Sequence, residues 1–371
     1  MKTKLIFKNE KKRLAKIESF LKPENIPLGS LIKIKGDASF RSYYRIKNSN
    51  LILMDANPRN NEKITSFIKI QKILLKYKIK APKIYKKDTS LGLMIMEDLG
   101  KKKFSDYSND SKVLLNLYIK SLEVLDRIHV YSILEPNKIK NLKKYTLNEQ
   151  MKETELFFDW YLKKHLNKPI LNDEKNRFKK IFKKIYKNLN IKNYCLVLRD
   201  FHVDNIIPAN INQKGTNKKI PISFKDFNLG IIDFQDALVG SPAYDLSSLV
   251  EDVRAPISSR KKGKLINHFK ANIKQLFKDK IFLTSNPESS LNSKLKDITN
   301  NTLNEFETKV SYFSIQRNLK ILGIFCRLKH RDKKSNYMKY LPQAKKFIRE
   351  NLKNPQFIEL KNWFVENKIN V

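Results

Sequence analysis

The sequence predicts an α+β fold in two lobes: a small N-terminal lobe built on an antiparallel sheet, and a larger, mainly helical C-terminal lobe. Short apolar strands separated by turns fill the part before residue 98, and long amphipathic helices dominate after it. Two further apolar stretches, 194–198 and 229–232, each run into a loop that contains aspartate. At 371 residues the chain can bury a core in both lobes. We therefore predict lobes at 1–98 and 99–371.

The N-terminal lobe begins with a short helix at 11–21, which Pro23 and Pro27 end. Strands at 31–34, 43–46 and 51–55 follow, then a helix at 62–77 and a buried strand at 91–96.

A turn at 36–41 joins the first two strands and carries Gly36 and Ser39 near its tip. Backbone N–H groups and a hydroxyl in such a turn can meet phosphate oxygens. Because Gly36 is its only glycine, an ordinary hairpin remains the alternative. The last strand of the lobe ends at 97–99, which we interpret as the hinge between lobes, where backbone groups can bind an adenine edge.

The C-terminal lobe is predicted to contain helices at 110–129, 147–166, 178–186 and 302–328, with a closing helical region near Trp363. The helix at 147–166 mixes aromatic residues with Glu149, Glu153 and Glu155. We interpret it as a core helix with a solvated acidic edge, part of which is a candidate wall of a substrate pocket. Stretches 210–228 and 284–301 are predicted to be a hairpin excursion and a surface loop.

Two loops carry the chemistry. Residues 198–205 contain the R-D-x-x-x-x-N core of the protein-kinase catalytic loop, and Asp233-Phe234-Gln235 resembles D-F-G with Gln in place of Gly. Phosphoryl transfer from ATP needs an Asp that orients the acceptor hydroxyl and takes its proton. It also needs oxygen ligands for a divalent cation. Each loop alone could be an ordinary β-turn. Their order and spacing instead predict a kinase-like phosphotransferase, with both carboxylates at one rim.

These loops predict roles for individual residues. Asp200 is the candidate base, and Asn205 and Asp233 are the candidate Mg²⁺ ligands. Asp245 begins the helix after the second loop, where a carboxylate favours the helix dipole or braces the catalytic loop through backbone N–H groups.

The acceptor is predicted to be small. A protein kinase needs a long activation segment between its metal-binding Asp and the following Pro, and the interval from Asp233 to Pro242 is too short for one. We therefore predict that residues of the two loops themselves contact the substrate. The candidates are Arg199, His202, Asp204 and Asp236; surface, packing or bracing roles remain open for each.

The formal charge of +39 would suit a nucleic-acid partner. However, Lys is spread over nearly every segment with abundant Ile and Asn, which indicates compositional bias, so we expect no dedicated nucleic-acid partner. Cys195 and Cys326 suggest no disulfide framework. The sequence shows no secretory signal and no membrane-length apolar run. We expect a cytoplasmic protein, for which a monomer is compatible with the sequence.

The chain resembles the aminoglycoside phosphotransferase-like kinases, and among them the bacterial N-acetylmuramate/N-acetylglucosamine kinases of cell-wall sugar recycling. The 198–205 and 233–237 motifs mark the wide family, and the 36–41 turn and the 316–325 stretch point to the narrower group. The resembling stretches cover most of the chain in order: 36–41, 53–56, 97–100, 158–162, 198–205, 233–237, 243–246 and 316–325.

The resemblance implies a protein-kinase-like fold, use of ATP and Mg²⁺, and phosphorylation of a small hydroxylated acceptor. In the narrower group this acceptor is the anomeric hydroxyl of an amino sugar. Asp200 matches the family's base, and Asn205 and Asp233 match its metal ligands. The implied ATP contacts are Gly36, Asp37, Ala38, Ser39, Phe40, Arg41, Arg45, Glu97, Asp98 and Leu99.

Two positions depart from the family pattern. Leu198 stands where the wider family usually has His, and Met54 stands where a kinase fold presents its phosphate-contacting Lys. Arg41 or Arg45 is the candidate replacement for that charge. The predicted function is thus an ATP-dependent amino-sugar kinase. The alternatives are a kinase of another small metabolite, aminoglycoside- or choline-like, and a non-catalytic nucleotide-binding protein.

Overall fold

A computed structural model describes residues 2–34, 41–60, 64–107, 111–210, 227–281, 293–294, 296–298 and 305–371. It confirms the predicted fold class, with an antiparallel sheet in the N-terminal part and a mainly helical remainder. The boundary at 98 and 99 stays a prediction. Most of the 210–228 excursion and of the 284–301 loop lies outside the described residues.

The N-terminal lobe is a five-stranded sheet flanked by two helices. The strands lie in the order β1-β2-β3-β5-β4, and every neighbouring pair is antiparallel. Strand β4 was not predicted, because its exposed lysines mask the strand pattern. The elements are α1 (Lys2–Leu21), β1 (Leu31–Ile34), β2 (Ser42–Ile46), β3 (Leu51–Asp55), α2 (Ile64–Lys76), β4 (Ile84–Asp88) and β5 (Leu93–Glu97).

The two faces of this sheet pack against different partners, because successive side chains of a strand point to opposite faces. Leu53 and Ile95 join a small apolar cluster with α1. Met54 and Met94 face the other way and belong to the main core, together with α2 residues such as Phe67.

Helices form most of the C-terminal lobe and enclose the rest of the main core. The predicted helix at 147–166 is α-helical only to Leu156 and continues as a π-helix from Phe157 to His165. The α-helices are α3 (Ser111–Leu134), α4 (Leu147–Leu156), α5 (Asn172–Asn188), α6 (Ala243–Val250), α7 (Ser259–Ile281), α8 (Glu305–His330), α9 (Leu341–Asn351) and α10 (Ile358–Glu366). Among the described helices, none combines the length and apolar character that crossing a membrane requires.

Glycine allows the closest helix contact in this lobe. A Cβ added at Gly323 of α8 would lie 2.3 Å from the Leu156 carbonyl carbon and 2.6 Å from the Phe157 nitrogen. Helix α8 therefore touches the chain where α4 changes into the π-helix. This contact brings the polar residues of α8 up to those of α4.

The strands that carry the two loops do not pair with each other. Strand β6 (Cys195–Val197) pairs with β9 (Leu238–Gly240), and β7 (Ile206–Asn210) pairs with β8 (Phe227–Ile231). Each loop thus leaves a different two-stranded ladder. The Ile232 N–H joins the two by donating to the Asn205 carbonyl at 3.0 Å.

Candidate active site

The loop at 198–205 is held by a buried carboxylate. Asp245 lies in the first turn of α6 and is fully buried. Its two oxygens accept hydrogen bonds from the Leu198 N–H at 2.6 Å and the Arg199 N–H at 3.0 Å. Arg199 has a φ of +71°, a left-handed conformation that costs a non-glycine residue about 1 kcal/mol or more. The two bonds offset that strain and fix the backbone that enters Asp200.

Asn205 is oriented by its own loop. Its Nδ2 donates to the Asp200 carbonyl at 2.9 Å and lies 3.3 Å from Nε2 of His202. Because both bonds use the amide nitrogen, Oδ1 is the atom left for a cation. The amide oxygen is a suitable hard ligand for Mg²⁺.

Asp233 also has a left-handed backbone, with a φ of +57°. Its Oδ1 accepts a hydrogen bond from Nε2 of Gln235 at 2.8 Å, and the same nitrogen reaches Asp236 Oδ2 at 3.3 Å. Desolvation by the surrounding protein and the nearby charge of Asp200 raise the pKa of Asp233. The hydrogen bond from Gln235 and the charge of Arg41 oppose this rise. The residue itself stays open to solvent. Asp200 and Asp233 are therefore close enough to repel, a repulsion that a bound cation would relieve.

His202 is enclosed by protein, and Asp204 is paired with two protein donors. His202 is buried, and burial together with the Arg254 charge lowers its pKa to about 3, so the ring is neutral. Asp204 accepts from Ser105 Oγ at 2.7 Å and from Arg254 Nε at 3.0 Å. This geometry favours bracing for both residues, and their substrate contact stays a prediction.

A buried polar network behind the loop was missed by the sequence prediction. We call Tyr145, Glu153, Arg199, Gln316 and Lys320 the α4–α8 network. Glu153 forms an ion pair with Arg199 and another with Lys320 at 3.1 Å. It also accepts from Tyr145 at 2.5 Å and from Gln316 at 3.2 Å. Burial alone would raise the pKa of Glu153, but Lys320, Arg199 and Tyr145 lower it to about 2.

The predicted acidic edge of the 147–166 helix is therefore wrong for Glu153, which is largely buried, whereas Glu149 and Glu155 are more exposed. Two signals were available in the sequence. One is a glutamate among aromatic residues, and the other is a set of polar residues, such as Gln316 and Lys320, inside an otherwise apolar helix.

A cavity of about 340 Å³ lies beside the catalytic loop. Its walls come from α2, the segment 141–145, α4, Arg199 and residues 235–238. Among the four predicted substrate contacts, Arg199 and Asp236 line it, and His202 and Asp204 do not. The structure thus divides that predicted set in two.

The nucleotide side of the site is partly described. Gly36 to Phe40 lie outside the described residues. Arg45 forms an ion pair with Asp98 at 2.5 Å and donates to the Gly100 carbonyl at 2.9 Å, so it braces the hinge. Glu97 pairs with Lys80 at 2.6 Å.

The hinge backbone is also largely engaged. The N–H groups of Glu97 and Asp98 donate to the carbonyls of Lys83 and Asn50. Within the described part of the chain, the Leu99 N–H has no acceptor. Among the residues of the predicted hinge, Leu99 is therefore the one whose N–H could bind an adenine edge.

The third strand presents no cation toward the cleft. Met54 is fully buried in the core beneath α2. The charge of Arg41, in contrast, acts on Asp233. Of the two candidate replacements for the missing lysine, Arg41 therefore lies near the metal loop, and Arg45 is engaged at the hinge.

The chain is similar in sequence to known phosphotransferases. A family model described as "Phosphotransferase enzyme family" matches residues 30–268. An N-acetylmuramate/N-acetylglucosamine kinase of Pseudomonas aeruginosa is 25% identical over 340 residues, covering 90% of this chain and 88% of the relative. One of Neisseria meningitidis serogroup B is 25% identical over 322 residues, covering 84% and 83%.

Solved structures show a similar fold. A choline kinase from Streptococcus pneumoniae superimposes with a TM-score of 0.56 at 13% identity, covering 90% of this chain and 99% of that one. An ADP-bound aminoglycoside phosphotransferase superimposes with a TM-score of 0.52 at 14% identity, covering 92% and 98%.

Proposed function

The chain belongs to the phosphotransferase enzyme family, and from this premise we propose that it is an ATP-dependent kinase that phosphorylates the anomeric hydroxyl of N-acetylmuramate or N-acetylglucosamine. Relatives named N-acetylmuramate/N-acetylglucosamine kinase match the chain over most of its length. The observation that carries the proposal is the joined pair of loops, which presents Asp200, Asn205 and Asp233 together. The reaction would take place in the cytoplasm.

Asp200 acts as the base in this proposal. Its backbone is fixed from one side by Asp245 through Arg199 and from the other by Asn205. The carboxylate accepts the proton of the sugar hydroxyl as the oxygen attacks the γ-phosphorus, and ADP leaves. Most of the rate enhancement comes from positioning and from charge neutralisation.

Asn205 Oδ1 and the Asp233 carboxylate would hold Mg²⁺, which neutralises the charge on the phosphate oxygens when it is bound. The site fits this ion, because the amide oxygen is oriented and the two nearby aspartates repel each other. In the described residues, no three His, Cys, Asp or Glu side chains form a metal cluster. ATP phosphates and water would complete the coordination, as is common for Mg²⁺.

Arg41 would contact the ATP phosphates in place of the third-strand lysine. Its charge reaches Asp233, whereas Met54 is buried and Arg45 is engaged by Asp98. We expect Arg41→Ala to raise the KM for ATP by about tenfold or more, the usual loss for a charged hydrogen bond. Arg45→Ala, which removes a hinge brace, is the matched comparison. Equal effects of the two changes on the KM for ATP would contradict this assignment.

The test of the function is ³¹P NMR of the products formed from ATP and Mg²⁺ with N-acetylmuramate, N-acetylglucosamine, glucose, choline or an aminoglycoside. An anomeric sugar phosphate is the expected product. Asp200→Asn should lower kcat by about 10²–10⁴-fold. Asp173→Asn, the same change at an exposed position of α5, should leave it unchanged. Transfer only to choline or the aminoglycoside would overturn the sugar assignment, and full activity of Asp200→Asn would overturn the role of Asp200.

A further inference from the structure

A second cavity in the C-terminal lobe shares no lining residue with the cavity beside the catalytic loop. Its volume is about 400 Å³, which is within the range of cavities that hold small organic ligands. The end of the π-helix forms one wall, and helix α9 with the turn before it forms another. The cavity is thus large enough for a ligand and separate from the functional loops.

The charged side chains of this second cavity are basic. Lys345 and Arg349 lie four residues apart on one face of α9, and no Asp or Glu of the described chain lines the cavity. The cavity beside the catalytic loop, in contrast, includes Glu149, Glu153 and Asp236 in its walls. An anion in the second cavity would therefore meet two cations and no carboxylate of the wall.

Lys345 is a cation without a partner. The residue is half-buried, and its ammonium group makes no hydrogen bond or ion pair within the described part of the chain. That group is not enclosed by protein, so it is accessible to a ligand. Burial and the charge of Arg349 lower the pKa of Lys345, because both disfavour its charged form. The neighbouring Lys346, in contrast, is exposed and lies 3.9 Å from Glu350.

Two other residues of the wall offer hydrogen-bond donors. Arg349 donates to the main-chain oxygen of Val371 at 2.9 Å, which uses one of the five N–H groups of a guanidinium. His165 is half-buried, and burial with the charges of Lys329 and His330 lowers its pKa, so the neutral ring offers one N–H. A ligand that fits must therefore be rich in acceptors.

The rest of the wall is apolar or aromatic. Leu166 follows the π-helix, Met338 lies before α9, and Leu341 begins α9, while Tyr161 comes from the π-helix itself. Contact with such side chains favours an organic group, because apolar surface is removed from water. The cavity thus suits a molecule with an anionic end and an organic body.

We propose that this cavity is a binding site for a small organic phosphate. The phosphate group pairs with Lys345 and accepts hydrogen bonds from free N–H groups of Arg349, and the organic body packs against Met338 and Leu341. A phosphomonoester carries a charge of about −1.5 to −2 at pH 7 and three acceptor oxygens. It therefore matches two cations, whereas a carboxylate brings one charge. This site goes beyond the proposed function and does not depend on it.

The helix beside the cavity supports a functional role. The π-helix continues directly from α4, which carries Glu153 of the α4–α8 network, and ends at His165 in the cavity wall. π-Helical segments are rare and frequently occur at functional sites. The cavity thus lies at the far end of a helix whose first part supports the catalytic loop.

Methionine-methyl NMR of the full chain tests the site directly. Of the six methionines, Met338 lines the cavity, whereas Met54 and Met94 belong to the core beneath the N-terminal sheet. With ¹³C-methyl methionine, we expect phenyl phosphate to shift the Met338 signal in a saturable way and to leave Met54 and Met94 unshifted. Met338→Leu assigns the signal. No shift of Met338 would overturn the proposal.

Two further probes separate the parts of the ligand. Phenol lacks the phosphate and inorganic phosphate lacks the organic body, so each should bind about tenfold more weakly than phenyl phosphate or worse. Equal affinity for phenol would show an apolar cavity without an anion site. Equal affinity for inorganic phosphate would show that the free ion is the occupant. Either result would overturn the assignment of an organic phosphate.

A pair of variants tests the cation. Lys345→Gln should weaken phenyl phosphate binding about tenfold, the usual loss for a charged hydrogen bond. Lys346→Gln, the same change at the exposed neighbour, should leave binding unchanged. Wild-type Met54 and Met94 signals would show that both variants are folded. Equal dissociation constants in the two variants would overturn the role of Lys345 and with it the site.

Discussion

Two buried polar regions of the C-terminal lobe hold their ionisable groups in opposite states, charged in one region and neutral in the other. In the α4–α8 network, Glu153 is surrounded by Arg199 and Lys320 and keeps its charge, with a pKa lowered to about 2. Between α3 and α7, Asp126 and His129 are fully buried, and none of their side-chain oxygens or nitrogens has a partner among the described residues. Burial raises the pKa of Asp126 well above its usual value and lowers that of His129 to about 3.

The difference shows that partners, and not burial, decide whether a buried group stays ionised. Burial disfavours the charged form in both regions, and only compensating charges reverse this. The compensated region lies behind the catalytic loop, and the neutral region lies at a helix contact where His129 meets the edge of Phe269. We therefore expect replacement of Glu153 in the network to be severe and replacement of His129 between α3 and α7 to be mild.

The largest effect is expected for Glu153→Gln. This change leaves Arg199 and Lys320 buried without their carboxylate, and breaking a buried ion pair costs about 3–5 kcal/mol. The free energy of unfolding, measured by urea denaturation, should fall by that amount. Glu155→Gln in the same helix breaks only the exposed pair with Lys179 and should cost less than about 1 kcal/mol. Similar losses in both variants would mean that the network is not a stabilising unit.

Asp245 is buried like Asp126 but accepts hydrogen bonds from two backbone N–H groups, and its titration gives a pH-dependent test. Burial raises its pKa to about 7, although two backbone N–H groups oppose the shift. The folded state then binds more protons than the unfolded state above an ordinary Asp pKa, so this contribution is fully present below about pH 4 and is lost as the pH rises through 7. The stability of the wild type relative to Asp245→Asn should fall by about 1 kcal/mol per pH unit in that window. A difference that grows with pH would show that Asp245 is held charged.

The next largest effect on stability is expected at the close contact between Gly323 of α8 and the end of α4. Gly323→Ala places a methyl group against the backbone at Leu156 and should lower stability by about 1–3 kcal/mol. Thermal denaturation of Gly263→Ala is the control, because an added Cβ at this position in the second turn of α7 meets no atom within 4 Å. That change should stabilise by about 0.5–1 kcal/mol. If both alanines were tolerated equally, the tight approach of α8 to α4 would be wrong.

The smallest effect is expected for His129→Leu. The ring is neutral and makes no hydrogen bond in the described structure, so a leucine of similar volume should change the free energy of unfolding by less than about 1.5 kcal/mol. Urea denaturation measures this change, and kinase activity should be unaffected. A loss as large as that of Glu153→Gln would remove the distinction between the two regions.

Much of the fold followed from local pattern. The third strand was predicted at its observed bounds, and α2 within two residues, because alternating and helical apolar periodicities are local properties. Strand β4 was missed, since its charged residues obscure the alternation. The π-helix at 157–165 was also missed, because the aromatic pattern of that segment is equally compatible with an α-helix.

The sequence by itself determined the chemistry: the spacing within 198–205 and the Asp at 233 predict a phosphotransferase, because catalytic groups of one loop are close in the chain. Tertiary structure decided which carboxylates are partnered. Glu153 and Arg199 are 46 residues apart, and Glu153 and Lys320 are 167 apart. Periodicity does not specify contacts over such separations, since they form only when helices pack. The same packing buries Met54, leaves Arg41 near Asp233 and places Gln235 in the wall of a cavity.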